Sequence, residues 1–426
     1  MKSTQARRTI LPEAEAFTYR DGILHVEDVP VPVLVEQFGT PLYVYSLAHI
    51  RSQFRRLQQA LRELDPTLHY AVKANSCGAL IRELAALGAG ADVVSGGELF
   101  RARRAGIPAD RIVFAGVGKT EEEIRYALKE GIAYFTVESE PELERIAACA
   151  GRAGCKARIA LRVNPDVDPR THVYTSTGKK ESKFGVDLDR ARRAYEDTVR
   201  HPALEVAGVH MHLGSPLADE KPYAEALDKV APLCAWLKEQ FPTCRVLDLG
   251  GGLGIPYRRE QPPFDLHAFA HAVIPRVRTI GLRLAMEPGR YIVGNAGALI
   301  ARVQYVKDNA FRRFVVVDAG MNDLIRPPLY QAWHEIVAVR ETPETFLADV
   351  VGPICESGDF LAQERPVPAV LSGDLIAVLS AGAYGFAMSS NYNSRGRAAE
   401  VVVDGSAFRL ARRRETWDDL VAHETL

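Results

Sequence analysis

Lys73 closes the run YAVKAN, with apolar residues before it. Burying an ammonium disfavours its charged form and lowers its pKa toward that of a nucleophilic amine. Lysines of that kind form Schiff bases with carbonyl compounds, pyridoxal phosphate among them. The plainer reading is a lysine whose stem runs out of a strand end to water. DLGGGLG (248–254) offers backbone N–H groups that can close on a phosphate with no side chain in the way, or it is a plain turn. Its glycines stand at 250, 251, 252 and 254, which fails the dinucleotide pattern G-x-G-x-x-G, and no Walker lysine follows.

HMHLGS (210–215) puts His210 and His212 on one strand face, with Ser215 three residues on. A metal would need further ligands and none is spaced to help, so a ring-stacking or core histidine is expected and no metal site is assigned. EPGR (287–290) sets Glu287 beside Arg290. A carboxylate against a pyridine nitrogen keeps that ring protonated, and a guanidinium binds an anion. Four residues alone could equally be a surface ion pair. GPICESGD (352–359) places the Cys355 thiol next to Glu356, a proton donor where its pKa is tuned, or a small buried residue. HAFAH (267–271) lacks the glutamate of a zinc protease and reads as a helix surface.

Positioning such groups takes a scaffold, and the chain has one. Short β-branched runs recur at 68–74, 91–95, 111–116, 132–137, 157–164, 204–214, 245–251 and 282–289. Between them lie GALIRELAALG, GELFRARRAG, TEEEIRYALKEG and SEPELERIAACAG, whose apolar residues recur at i, i+3 and i+4 and which end in Gly. Thr120 with Glu123 has the form of a capping box, as does Ser139 with Glu142. Near-continuous apolar strands alternating with helices imply parallel strands covered by helices. An open doubly wound sheet and a closed (β/α)8 barrel both fit, and eight units with polar residues at strand ends favour the barrel. Lys73, Asp92, His210, His212, Gly250–Gly252, Glu287 and Arg290 then gather at the C-terminal rim, where this fold builds active sites.

After Gly294 the pattern changes to β runs with Pro/Gly turns, an all-β domain. ILHVEDVPV and TPLYVYS near the N-terminus also read as strands, expected to join that domain or to bridge it to the barrel. The division is 1–45, an N-terminal segment; 46–294, the barrel; and 295–426, the C-terminal β domain. The stretch 166–185 is long for a strand–helix connection, as functional loops are.

Composition names no function but excludes several. At 426 residues, ~150 per domain allows two or three domains. Lys+Arg at 53 against Asp+Glu at 54 gives a net charge of -1, too little field to gather nucleic acid or an anionic membrane. No apolar run approaches the ~18 residues of a bilayer span. The N-terminus lacks the apolar core of a signal peptide. Six cysteines without C-x-x-C or zinc spacing read as reduced thiols of a cytoplasmic protein.

Taken in order, YAVKAN, ADVVSGGE, STGKKESKFG, HMHLGS, DLGGGLG, EPGR, DAGMNDLIRPPLY, GPICESGD and GAYGFAMSSNYN give the chain a family resemblance. It resembles the pyridoxal-phosphate-dependent diaminopimelate decarboxylases of the alanine-racemase-like fold group, from TPLYVYS to the last β segments. The resemblance implies pyridoxal 5'-phosphate as cofactor and conversion of meso-diaminopimelate to L-lysine and CO2. It assigns Lys73 to the Schiff base, Asp92 beside it, His212 to the ring face and Glu287 to the ring nitrogen. Ser215, Gly250, Gly251, Gly252, Pro288, Gly289, Arg290 and Tyr384 would surround the cofactor and its phosphate. Arg290, Arg326, Tyr330 and Tyr384 would hold the distal end of the substrate, Glu356 its distal ammonium, and Cys355 would donate the proton. Cys355 and Glu356 would reach the site from a partner subunit, implying a homodimer with shared active sites.

Two enzymes and one binding protein compete with that reading. A related decarboxylase acting on a D-configured or basic amino acid such as ornithine, lysine or arginine is disfavoured by the Arg326, Tyr330 and Glu356 set, since those substrates lack a distal carboxylate. A racemase of this fold is expected to carry Arg, not Glu, at the ring nitrogen. A non-catalytic regulator would have lost Lys73 or the glycine run, and both are present.

Overall fold

Eight parallel strands close on themselves in the computed structural model, which describes residues 8–168 and 183–425. They are Thr67–Ala71, Gly90–Val93, Ile112–Phe114, Tyr134–Val137, Ala157–Asn164, Leu204–His210, Val246–Asp248 and Arg283–Met286. Each pairs with the next, and the last returns to the first through Ala285 opposite Thr67 and Met286 opposite Leu68. That closure decides for the (β/α)8 barrel over the open sheet. All eight apolar runs become strands, and the strands are almost entirely buried, as expected where helices cover the outside and side chains fill the inside.

Local chemistry sets where the helices start and stop. At Glu121–Glu130 the Thr120 hydroxyl accepts from the Glu123 N–H and the Glu123 carboxylate from the Thr120 N–H, the expected box; Gly131 ends the helix in the left-handed region. The second expected box is only half formed. Ser139 Oγ does accept from the Glu142 N–H before Glu140–Ala153. The Glu142 carboxylate instead takes the Lys119 ammonium at 2.6 Å and the Glu138 N–H at 2.9 Å. A buried lysine outcompetes a backbone amide for a carboxylate.

Most strand expectations shorten, three of them with consequences for the residues they carry. The first barrel strand stops at Ala71, so Lys73 lies in the 3-10 turn Val72–Ala74. The sixth stops at His210, so His210 and His212 do not share a strand face; His212 is in the loop beyond. The proline-bearing tail of ILHVEDVPV turns into the helix Val31–Phe38, with a proline in its first turn where the missing N–H has no partner to lose. HAFAH lies on the helix Leu266–Ile280 with His267 and His271 exposed, as expected. Most of the 166–185 stretch lies outside the described residues.

The chain divides into two compact units. The barrel unit holds Gln53–Gly254 and Phe264–Tyr291; the other holds the chain up to Ser52, Ile255–Pro263 and the chain from Ile292 onward. In that second unit Gly297–Asp308 pairs antiparallel with Leu42–Ser46, Arg313–Val317 and Leu375–Val378. Leu42–Ser46 also pairs parallel with Ala399–Asp404. Leu42–Ser46 is thus an interior strand of this sheet, buried throughout its length, while Arg8–Thr9, Phe17–Arg20, Ile23–Val26 and Val29–Pro30 form a separate four-stranded sheet. Short helices, among them Val31–Phe38, Arg326–Tyr330 and Trp417–Val421, interrupt the β architecture of this unit. No helix among the described residues is long and apolar enough to cross a membrane.

Candidate active site

At the barrel rim the turn after the first strand carries Lys73, and its ammonium meets Asp92 Oδ2 of the second strand at 2.5 Å. The Lys73 side chain is 36% exposed while Asp92 is fully buried. The desolvation argument for a neutral lysine therefore weakens, because the shortened strand swings the side chain to the rim and a carboxylate faces its charge. The Lys73 turn is also tied to the end of the barrel. Ala71 N–H donates to the Pro288 carbonyl at 3.2 Å, and a Cβ on Gly289 would come within 2.9 Å of the Ala74 Cβ.

Glu287, one residue past the eighth strand, is buried. Burial, then the charge of Asp92, pushes its carboxyl up to about 8. One oxygen lies 3.2 Å from His210 Nε2 but is not aligned for a hydrogen bond. His210, buried with it, is pushed down to about 4 by desolvation, so a neutral acid faces a neutral ring at pH 7. Asp248, at the end of the seventh strand, completes the cluster, with one donor atom from each of the three residues within 4.8 Å of the others. Burial and the Glu287 charge raise Asp248 to about 7, while it accepts from Tyr134 Oη at 2.7 Å and from the Gly250 N–H at 2.9 Å.

The loop after the sixth strand packs on the glycine run. His212 Nδ1 accepts from the Gly251 N–H at 3.1 Å, so a neutral ring carries its proton on Nε2. Burial, with the charges of Arg162 and Lys73, lowers its pKa well below the usual value and keeps it neutral. Side chains are barred from the run: a Cβ would fall 2.3 Å from the Glu287 carbonyl at Gly251 and 2.4 Å from the Gly214 carbonyl at Gly252, where φ is +112°. Arg290, 7% exposed, donates from Nε to Ser215 Oγ at 3.1 Å.

The β unit carries the remaining candidates. Arg326 begins a single-turn helix that ends at half-buried Tyr330, and Tyr384 is half-buried with φ of +57°. Cys355 and Glu356 are exposed, so the reading of Cys355 as a buried small residue is set aside. Their turn is pinned from both sides. Asp359 accepts from the Ile354 and Met321 N–H groups, each at 2.6 Å; Cys355 N–H donates to Asn393 Oδ1 at 2.7 Å; and Tyr392 Oη donates to Glu356 Oε2 at 3.0 Å.

Residues 47–294 match the family model described as pyridoxal-dependent decarboxylase, pyridoxal binding domain. Over 408 residues the chain is 50% identical to the diaminopimelate decarboxylase of Aquifex aeolicus, covering 95% of this chain and 96% of that one. It is 50% identical over 415 residues to that of Pseudomonas aeruginosa, covering 97% and 99%. The crystal structure of the M. jannaschii diaminopimelate decarboxylase in complex with L-lysine superposes with a TM-score of 0.93 at 37% identity, covering 98% and 99%. This chain belongs to the diaminopimelate decarboxylase family.

A pyridoxal-dependent family implies pyridoxal 5'-phosphate, and the barrel rim fits that group. Glu287 Oε1 is buried without a hydrogen-bond partner, which is the place for an N–H donor such as a protonated pyridine nitrogen. The glycine run forms a cradle that any Cβ would fill, with the Ser215 hydroxyl and the Arg290 guanidinium beside it. Sequence reasoning passed over several polar residues of this decarboxylase. Asp248 stood inside DLGGGLG but was hidden by the glycines. Tyr134 opens an apolar strand, and Arg162 sits within another, 3.1 Å from Glu138 in a buried ion pair. A polar residue at the C-terminal end of a barrel strand was the signal that could have found Asp248 and Arg162. His334 and Tyr257, beside Arg326, carried no motif at all.

Proposed function

We propose that this chain decarboxylates meso-2,6-diaminopimelate to L-lysine and CO2, the last step of lysine biosynthesis, as a cytoplasmic homodimer. The observation that carries the reading is Glu287, a buried carboxyl at the Lys73 rim whose Oε1 has no hydrogen-bond partner and suits a pyridinium N–H. A glutamate there favours loss of CO2, whereas the arginine expected of a racemase would weaken the electron sink. Lys73 would hold the cofactor through its aldehyde carbon, with Asp92 orienting the lysine amine. His212, held neutral, would stack on the ring face. Ser215, Gly250, Gly251, Gly252, Pro288, Gly289, Arg290 and Tyr384 would surround the cofactor and its phosphate. When bound, pyridoxal 5'-phosphate takes up the electron pair left as CO2 departs.

The substrate carries an amino-acid group at each end, so the end that does not react must be held. Arg290, Arg326 and Tyr330 grip the distal carboxylate, Glu356 takes the distal ammonium, and Tyr384 adds a further substrate contact. Cys355 then delivers a proton to the α-carbon. In the homodimer Cys355 and Glu356 serve the site of the partner subunit. Their exposure supports this, since both stand ready for a surface outside their own fold. That no disulfide joins any of the six cysteines supports a reducing compartment.

The test is to incubate purified protein and cofactor with meso-diaminopimelate, D-lysine, D-ornithine and L-arginine, scoring CO2 and product. Release from meso-diaminopimelate with L-lysine formed is expected. Equal release from an amino acid without the distal carboxylate would overturn the reading.

A further inference from the structure

We propose that His334 and Tyr257 are positioning residues for Arg326, and through it set the preference for substrates whose far end carries a carboxylate. The proposal rests on the reading of Arg326 given above and adds the means by which that guanidinium is aimed. Arg326 is 6% exposed and His334 fully buried. His334 Nδ1 lies 2.8 Å from the Leu379 carbonyl, and its Nε2 lies 2.8 Å from Arg326 Nη1. A carbonyl only accepts and a guanidinium only donates, so both bonds require one state of the ring: neutral, with its proton on Nδ1. The lone pair on Nε2 is thereby aimed at Arg326.

Backbone contacts hold that ring in place. Arg365 Nη2 donates to the His334 carbonyl at 2.5 Å, and the Leu379 N–H donates to the carbonyl of Glu335 at 2.8 Å. Ile336–Ala338 then pairs with Leu375–Val378, the strand that ends beside Leu379. Tyr257 supplies the second constraint. Its ring centroid is 4.8 Å from the Arg326 guanidinium carbon and 5.3 Å from the His334 ring, edge to face at 82°. The hydrogen bond limits rotation within the guanidinium plane, and the aromatic face limits tilting out of it. A guanidinium fixed in both directions loses little freedom when a carboxylate docks in the two-point geometry it favours.

The experiment uses the holoenzyme with His334→Gln and His334→Asn. Gln can place an oxygen where Nε2 stood and keep the acceptor for Arg326. Asn can place an amide N–H where Nδ1 stood and keep only the donor to Leu379. His334→Asn should raise KM for meso-diaminopimelate by about tenfold or more, the effect of losing a hydrogen bond to a charged group, with kcat little changed. His334→Gln should restore most of the loss. Calorimetry with L-lysine, which keeps the distal carboxylate, should follow KM, while cadaverine, which lacks it, should bind every variant alike. Tyr257→Leu should act in the same direction and keeps the test open if a His334 variant does not fold. Recovery by Asn rather than Gln would mean that His334 only anchors Leu379, and would overturn the proposal. Unchanged discrimination between L-lysine and cadaverine in all these variants, while Arg326→Lys loses it, would overturn positioning alone. Unchanged discrimination in Arg326→Lys as well would overturn the reading of Arg326 and the proposal with it.

Discussion

Glu287 and Asp248 hold protons at pH values where exposed carboxylates have lost them, and that links folding to pH. Asp248 is raised to about 7 and Glu287 to about 8, so the folded chain binds these protons more tightly than the unfolded one. Their contribution is full below the unfolded carboxylate range of ~4 and is lost as pH rises through 7 to 8. Glu98 and Asp323, each pushed up to about 7 by burial, act in the same sense. The buried histidines His69 and His210, lowered to about 4, act oppositely. Their contribution is complete above ~6.5 and is lost as pH falls toward 4. Between pH 6.5 and 8 these raised carboxyls release protons that the unfolded chain has already lost, so cofactor-free protein should melt at falling temperature across that window. Glu287→Gln should flatten the fall; a wild-type Tm that holds level would contradict the assignment. Lys73→Ala should lose the visible absorption band of the cofactor-loaded protein and its trapping by borohydride. A borohydride-stable adduct surviving in that variant would remove Lys73 from its role.

Among the elements, the helix starting at Glu140 shows a local motif yielding to a tertiary contact. Lys119, 1% exposed at its side chain, donates to the Gly116 and Thr136 carbonyls and to Glu142. Glu142→Ala would leave that ammonium buried without its carboxylate, so a loss of about 3 kcal/mol or more is expected in chemical denaturation. Thr120→Ala breaks a complete capping box on the exposed side of the barrel and should cost only about 1 kcal/mol. Equal losses in the two variants would show that the Lys119 pair is not the stronger constraint. Both boxes had the same spacing in the sequence. Only the neighbour across the turn separates them.

For the whole molecule, the proposed homodimer with shared sites makes a prediction that no single chain can. Lys73→Ala and Cys355→Ala proteins, each inactive or slow alone, should recover activity when mixed and allowed to exchange subunits. Half the dimers then carry one intact site of two, so recovery should reach roughly a quarter of wild type. No recovery after proven exchange would mean each chain uses its own Cys355. The barrel was legible beforehand because its signals are local and repeated: apolar strands, capped helices and glycine stops, eight times over. The rim residues Lys73, Asp92, His212 and Glu287 were legible because strand ends are read directly from that alternation. Closure of the barrel was favoured by the count of eight units but not fixed by it, since it depends on Arg283–Met286 meeting Thr67–Ala71 across more than half the chain. Nor was the place of Leu42–Ser46 between two strands drawn from the far end of the sequence. The sequence by itself determined which side chains are chemically able to serve and which family they resemble. Tertiary structure decided their states: that Glu287 keeps a proton, that Lys73 faces a carboxylate, and that His334 presents a lone pair to Arg326. Those states follow from burial and from neighbours distant along the chain, because a protonation state is set by the electrostatic surroundings and not by the residue's name.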